Sequence, residues 1–161
     1  MKAGVIGLLL GGILGAAAGF GLGIIAFPYL FPPPPVHETV ADREQRAVLA
    51  RGEFIHADPA DPVHHGRGGV TVFDGLLHLE ADFAVGPGPK FHVYLVPEAE
   101  ITPDTAVDRS MYVDLGRLKA FEGSQNYAIP DGVNPLDYGS VVIWCEQFGV
   151  LISPARIVPE A

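Results

Sequence analysis

From Ala3 to Phe27 the chain runs 25 residues without a charged or hydrogen-bonding polar side chain. Such a stretch has no polar face to show to water, and about 20 apolar residues at 1.5 Å each cross the hydrocarbon core of a bilayer. A single membrane-spanning helix is expected here. Pro28 and the aromatic residues Phe27, Tyr29 and Phe31 mark the far interface, where amphipathic rings sit well. The near end carries the amino terminus and Lys2, so the positive-inside tendency keeps it in the cytoplasm and exports the rest. Ala16-Ala17-Ala18 offers the competing reading, a cleaved signal peptide. The apolar run continues to Phe27, longer than a typical signal core. Both readings export the remainder of the chain.

Gly7, Gly11, Gly15, Gly19 and Gly23 recur at every fourth position. On a helix they form a nearly straight stripe without side chains, which lets a second helix approach closely. Self-association or a helical membrane partner is the expectation. Pro32 to Pro35 then favours a stiff extended rod. Glu38 to Arg51 reads as a short solvated helix that Gly52 stops. The expected organisation is an anchor over 1–31, a proline-rich spacer with a short helix over 32–51, and a β domain over 52–159.

The chain carries a net charge of −9, and Lys2 is the only charged side chain before the proline run, so the remainder stands at −10. An acidic domain of this kind repels nucleic acid. Within it, Val70-Thr71-Val72-Phe73 and Leu76 to Phe83 flank Asp74-Gly75, the signature of a tight type I′ hairpin. Leu77, Leu79, Ala81 and Phe83 alternate with His78, Glu80 and Asp82, which sets His78 on the solvated face. Further strands are expected at Gly52–His56, Phe91–Val96, Met111–Leu115, Gln125–Ile129 and Val150–Ile157, separated by Gly/Pro turns. Short strands with frequent turns point to an all-β fold, an antiparallel sandwich or a barrel-like domain.

Ser140 to Phe148 is a β-branched and aromatic run that holds the only cysteine. A regular strand puts Val141, Ile143, Cys145 and Gln147 on one face and Val142, Trp144, Glu146 and Phe148 on the other. Cys145 therefore has two readings: a small hydrophobe at the end of an apolar row, or a thiol held for redox or ligand chemistry. With one cysteine there is no internal disulfide.

Several ordered motifs go further. They are Gly52-x-Phe54; Gly88-Pro89-x-Phe91-x-Val93-Tyr94-Leu95; Leu115-Gly116-x-Leu118-Lys119; Gly123-x-Gln125-x-Tyr127-x-Ile129-Pro130; and Ser140-Val141-Val142-Ile143-Trp144-Cys145-x-x-Phe148. In these blocks, from about Gly52 to Ile157, the chain resembles the DM13 domain family. The resemblance implies an extracytoplasmic β domain belonging to an electron-transfer system. It also implies that Cys145 acts as a redox thiol or holds a prosthetic group such as haem. The family's usual companion modules are absent from this sequence, so a redox partner is expected to be a separate protein.

No Cys-x-x-Cys-His occurs, which excludes c-type haem attachment. No metal-ligand set is legible: His64-His65 stand near Asp58 and Asp61 on a Gly/Pro-rich loop and read as solvated, while His56, His78 and His92 are scattered. There is no Gly-x-Ser-x-Gly elbow, no His-Glu-x-x-His and no phosphate loop. The chain reads as an accessory redox or binding module rather than a stand-alone enzyme.

Overall fold

The computed structural model describes residues 2–160. Helix α1 (Lys2–Leu30) takes up the apolar stretch, and Gly4–Leu30 is long and apolar enough to cross a membrane. Ten strands come after it: β1 (Val36–His37), β2 (Val48–Phe54), β3 (Gly66–Phe73), β4 (Leu76–Leu79), β5 (Ala84–Val85), β6 (Phe91–Val96), β7 (Val113–Arg117), β8 (Gly123–Ala128), β9 (Ser140–Cys145) and β10 (Val150–Pro159). They form one sheet in the order β1-β8-β4-β3-β2-β10-β9-β6-β7, with β5 paired to β3. Every pairing is antiparallel except the short parallel contact of β1 with β8.

The sheet curls until β7, at its edge, approaches β8 near the other end. A right-handed twist accumulated over many strands favours such curling. The result is a half-barrel around one apolar core rather than a sandwich of two sheets. Phe54, Val72, Leu77, Leu79, Val93, Leu95, Tyr127 and Ile143 all belong to that core. Strand β9 lies between β10 and β6, and all six of its residues are buried. Val141, Ile143 and Cys145 point into the barrel core. Val142 and Trp144 enter a second cluster outside it, with Tyr94, Val96, Ile101 and Val107.

In the seam between β7 and β8, the buried side chain of Gln125 ties down the connecting segment. Its Oε1 accepts the Lys119 and Ala120 N–H groups at 3.0 and 3.2 Å and the Tyr127 hydroxyl at 2.8 Å. Its Nε2 donates to Ala120 O at 2.9 Å. One amide thus satisfies backbone that has no ladder partner at the seam.

Four expectations are corrected. The helix over Glu38–Arg51 is absent: only a 3₁₀ turn, Arg43–Gln45, forms, and Val48–Arg51 join β2. Pairing of that segment with β3 and β10 overrides its helical propensity, so the sheet reaches into the stretch read as a spacer. The β3–β4 turn has two residues, but only Gly75 takes a left-handed φ, +68°, whereas type I′ needs it at Asp74 too. Gly75 O accepts the Ile129 N–H at 3.0 Å, tying the turn to the end of β8. His78 is buried, because β8 pairs alongside β4 and Asn126 Oδ1 meets its Nδ1 at 2.6 Å. Last, β9 stops at Cys145: Glu146 to Gly149 form a turn closed by Gly149 N–H on Cys145 O at 2.8 Å. Phe148 is exposed there rather than sharing a strand face with Trp144.

Removing the Gln125 amide leaves several buried donors and acceptors without partners. Gln125→Ala is expected to destabilise the full chain by roughly 3–5 kcal/mol, read as a lowered unfolding midpoint in detergent. A change within the noise would show that the seam does not depend on this side chain.

Candidate functional site

Cys145 is 1% exposed. Its neighbours across the sheet are Phe91 of β6 and Val150 of β10. The thiol donates to Pro89 O at 3.2 Å. Burial pushes the thiol above its ordinary pKa, and the N–H groups of Phe148 and Gln147 pull the other way without reversing the shift. A thiol that remains protonated at neutral pH is a poor nucleophile and a poor metal ligand.

A cleft of about 1060 Å³ lies on the far side of Pro89 and Phe91, between them, Leu118–Phe121 and the last turns of α1. Cys145 is not part of its lining. The wall is tight: a side chain at Gly88 would overlap the Phe91 ring, and that ring meets Phe121 edge-on at 5.9 Å. Lys90, in the middle of the wall, holds a left-handed φ of +52°, which is uncommon outside glycine. Haem ligation requires a sulfur that opens on a cavity. These residues do not fit it, because the sulfur is enclosed and already engaged with a carbonyl.

On the other side of the β6–β9 pair, titratable side chains from β6, from β7 and from the turn after β9 converge. His92 Nδ1 lies 2.9 Å from Asp114 Oδ2, and its Nε2 lies 3.5 Å from Glu146 Oε2. Lys90 Nζ stands 2.8 Å from the same Glu146 oxygen. The Tyr94 hydroxyl donates to Glu146 Oε1 at 2.8 Å. The Lys90 ammonium, then the Tyr94 hydroxyl, hold the Glu146 carboxyl below its ordinary pKa. Burial first, and then the Glu146 carboxylate, push the Tyr94 phenol far above its own. The Tyr94 ring stacks on Tyr112 with centroids 4.2 Å apart and planes 14° apart.

The potential ligand atoms of His92, Asp114 and Glu146 all lie within 4.8 Å of one another. Asp114 and Glu146, however, address opposite ring nitrogens, and Lys90 supplies a cation at Glu146. That geometry makes a row of polar contacts rather than a tripod around one metal ion. No sequence spacing announces it, since the register of β6 and β7 and the turn after β9 bring the three residues together. His92 faces Trp144, the residue two before Glu146, and Arg117, three beyond Asp114.

The other histidines form smaller contacts. His64 Nδ1 lies 2.6 Å from Asp61 Oδ2, and His56 Nε2 lies 2.7 Å from Asp61 O. His56 and His65 meet edge-on at 5.9 Å. His78 Nε2 lies 3.6 Å from Glu80 Oε2. The glycine stripe of α1 is open: a side chain added at Gly7, Gly11, Gly15, Gly19 or Gly23 would meet nothing within 4 Å.

Residues 60–157 match the family model described as Electron transfer DM13. No curated protein matches the chain, and no solved structure does.

The loop around Asp61 provides a pH test. His64, and after it the N–H groups of Val63 and His64, lower the Asp61 carboxyl to about 2. A depressed carboxyl stabilises the fold at all pH values above its unfolded pKa and loses that contribution as pH falls through the folded one. Carboxyl-detected NMR titration should place the Asp61 midpoint near 2. A midpoint in the ordinary carboxylate range would show that the His64 contact does not form in solution.

Proposed function

Because the chain belongs to the DM13 family, we propose that it serves an electron-transfer system as an accessory module tethered to the outer face of the cytoplasmic membrane. In this reading α1 is the tether, the amino terminus is cytoplasmic and the half-barrel is extracytoplasmic. Cys145 is a packed core thiol, and the domain works by binding a separate redox partner. The observation that carries the assignment of Cys145 is the enclosure of its sulfur: 1% exposed, bonded to Pro89 O, with its neutral form favoured.

A thiol-redox role for Cys145 has one observation in its favour, its position one residue layer behind the cleft wall of Pro89 and Phe91. That role would require the wall to move, and the left-handed Lys90 at its centre is the residue that would relax. The glycine stripe supports a helical partner in the membrane, either a second copy or another protein.

Thiol titration of the full chain in nanodiscs separates the two roles. The packed reading expects no reaction with a disulfide reagent until denaturant is added, and no Soret band in the purified protein. Fast native reaction or a Soret band would transfer the function to Cys145. For the tether, Gly15→Leu is expected to abolish helix association in a membrane reporter assay. Unchanged association would remove the stripe as an interface.

A further inference from the structure

We propose that Tyr112 and Tyr94 form a one-electron port, in which Tyr94 is oxidised through Tyr112 and hands its phenolic proton to Glu146. The proposal rests on the electron-transfer part of the preceding reading and names the groups that would carry the electron; it uses neither Cys145 nor the membrane tether. Three observations support it. Tyr94 is 2% exposed and Tyr112 is 37% exposed, so the stacked pair runs from the interior to solvent. Centroids 4.2 Å apart and planes only 14° apart bring the two π systems face to face, nearer than the 4.5–7 Å usual for aromatic pairs. The Tyr94 hydroxyl donates its hydrogen bond to a carboxylate, Glu146, at 2.8 Å.

Packing alone explains the ring but not the choice of acceptor. A buried phenol is satisfied by any carbonyl. Here it meets Glu146, whose charge Lys90 stabilises and which stays ionised well into the acid range. A fixed carboxylate is a ready proton acceptor for a phenol that has lost an electron. The Glu146 side chain is itself 25% exposed, so a proton taken up there can pass on to solvent.

A high-potential, metal-centred one-electron acceptor at the surface takes one electron from Tyr112, and Tyr94 refills Tyr112. The Tyr94 O–H bond breaks as an O–H bond forms on Glu146 Oε1. The products are a reduced acceptor, a neutral Tyr94 radical and a protonated Glu146, so one electron and one proton are each accounted for.

The test uses the full chain with a photogenerated ruthenium(III) polypyridyl complex as oxidant and time-resolved absorption and EPR as readouts. The wild type is expected to give a neutral tyrosyl radical with a solvent deuterium isotope effect. Tyr94→Phe keeps the ring and should lose that radical, down to the signal of the remaining tyrosines. Tyr112→Phe should slow its formation. Glu146→Gln can still accept a hydrogen bond but is no base, so the isotope effect and the fast phase should disappear. Equal radical yield and rate in Tyr94→Phe and wild type, with both melting at the same temperature, would overturn the port. An unchanged isotope effect in Glu146→Gln would overturn the proton transfer. Thiol titration and membrane association are independent of both outcomes, so failure here is distinguishable from failure of the accessory-module reading.

Discussion

One buried amide fixes the segment that carries the chain from β7 into β8. Gln125 stands in β8, and its side chain bonds Lys119 and Ala120, in the connection from β7, and the Tyr127 hydroxyl. Without it the Lys119 and Ala120 backbone groups would be unpaired beside an apolar core, at about 1–3 kcal/mol for each group. The same segment lines the wall in front of Cys145: Leu118 N–H donates to Phe91 O at 2.8 Å and Phe121 meets the Phe91 ring.

The second constraint is that β9 is buried on both faces. A strand so placed must offer apolar residues at every position, which explains the unbroken run from Val141 to Trp144. Its two faces then do different things. The inner face ends in Cys145, where low polarity keeps the sulfur protonated. The outer face ends in Trp144, and the turn just beyond β9 carries Glu146 into a set of charges with Lys90, His92 and Asp114. Neighbouring residues therefore occupy opposite electrostatic environments: a neutral thiol inside, an ionised carboxylate outside.

Much of the fold was legible in the sequence. Turn residues located the start of β4 and β6, and the apolar run located β9, because burial imposes those patterns directly; the alternation read on to Phe83 stops at Leu79, where β4 ends. Gln125 and Tyr127 stand in one of the family motifs, but the motif alone does not announce the bonds they make. Propensity failed between Glu38 and Arg51, where the decisive partners, β3 and β10, are distant in the chain. Alternation failed at His78 for the same reason: a side chain on the polar face of a hairpin becomes buried once a third strand, β8, supplies Asn126. The cluster around Glu146 left no trace at all, because its members owe their proximity to the register of β6 and β7 and to the turn after β9.

A lone cysteine in a motif draws attention because thiols have chemistry, yet the same strand that makes Cys145 recognisable also buries it. Chemistry at neutral pH needs groups that can change charge while in contact with something that can compensate for the change. Cys145 has a carbonyl and apolar neighbours, and a thiolate there would gain no cation. Glu146 has an ammonium, an imidazole and a phenol within reach. On physical grounds the outer end of β9, rather than the inner, is where this fold can move a proton, and an electron that moves with it belongs there too.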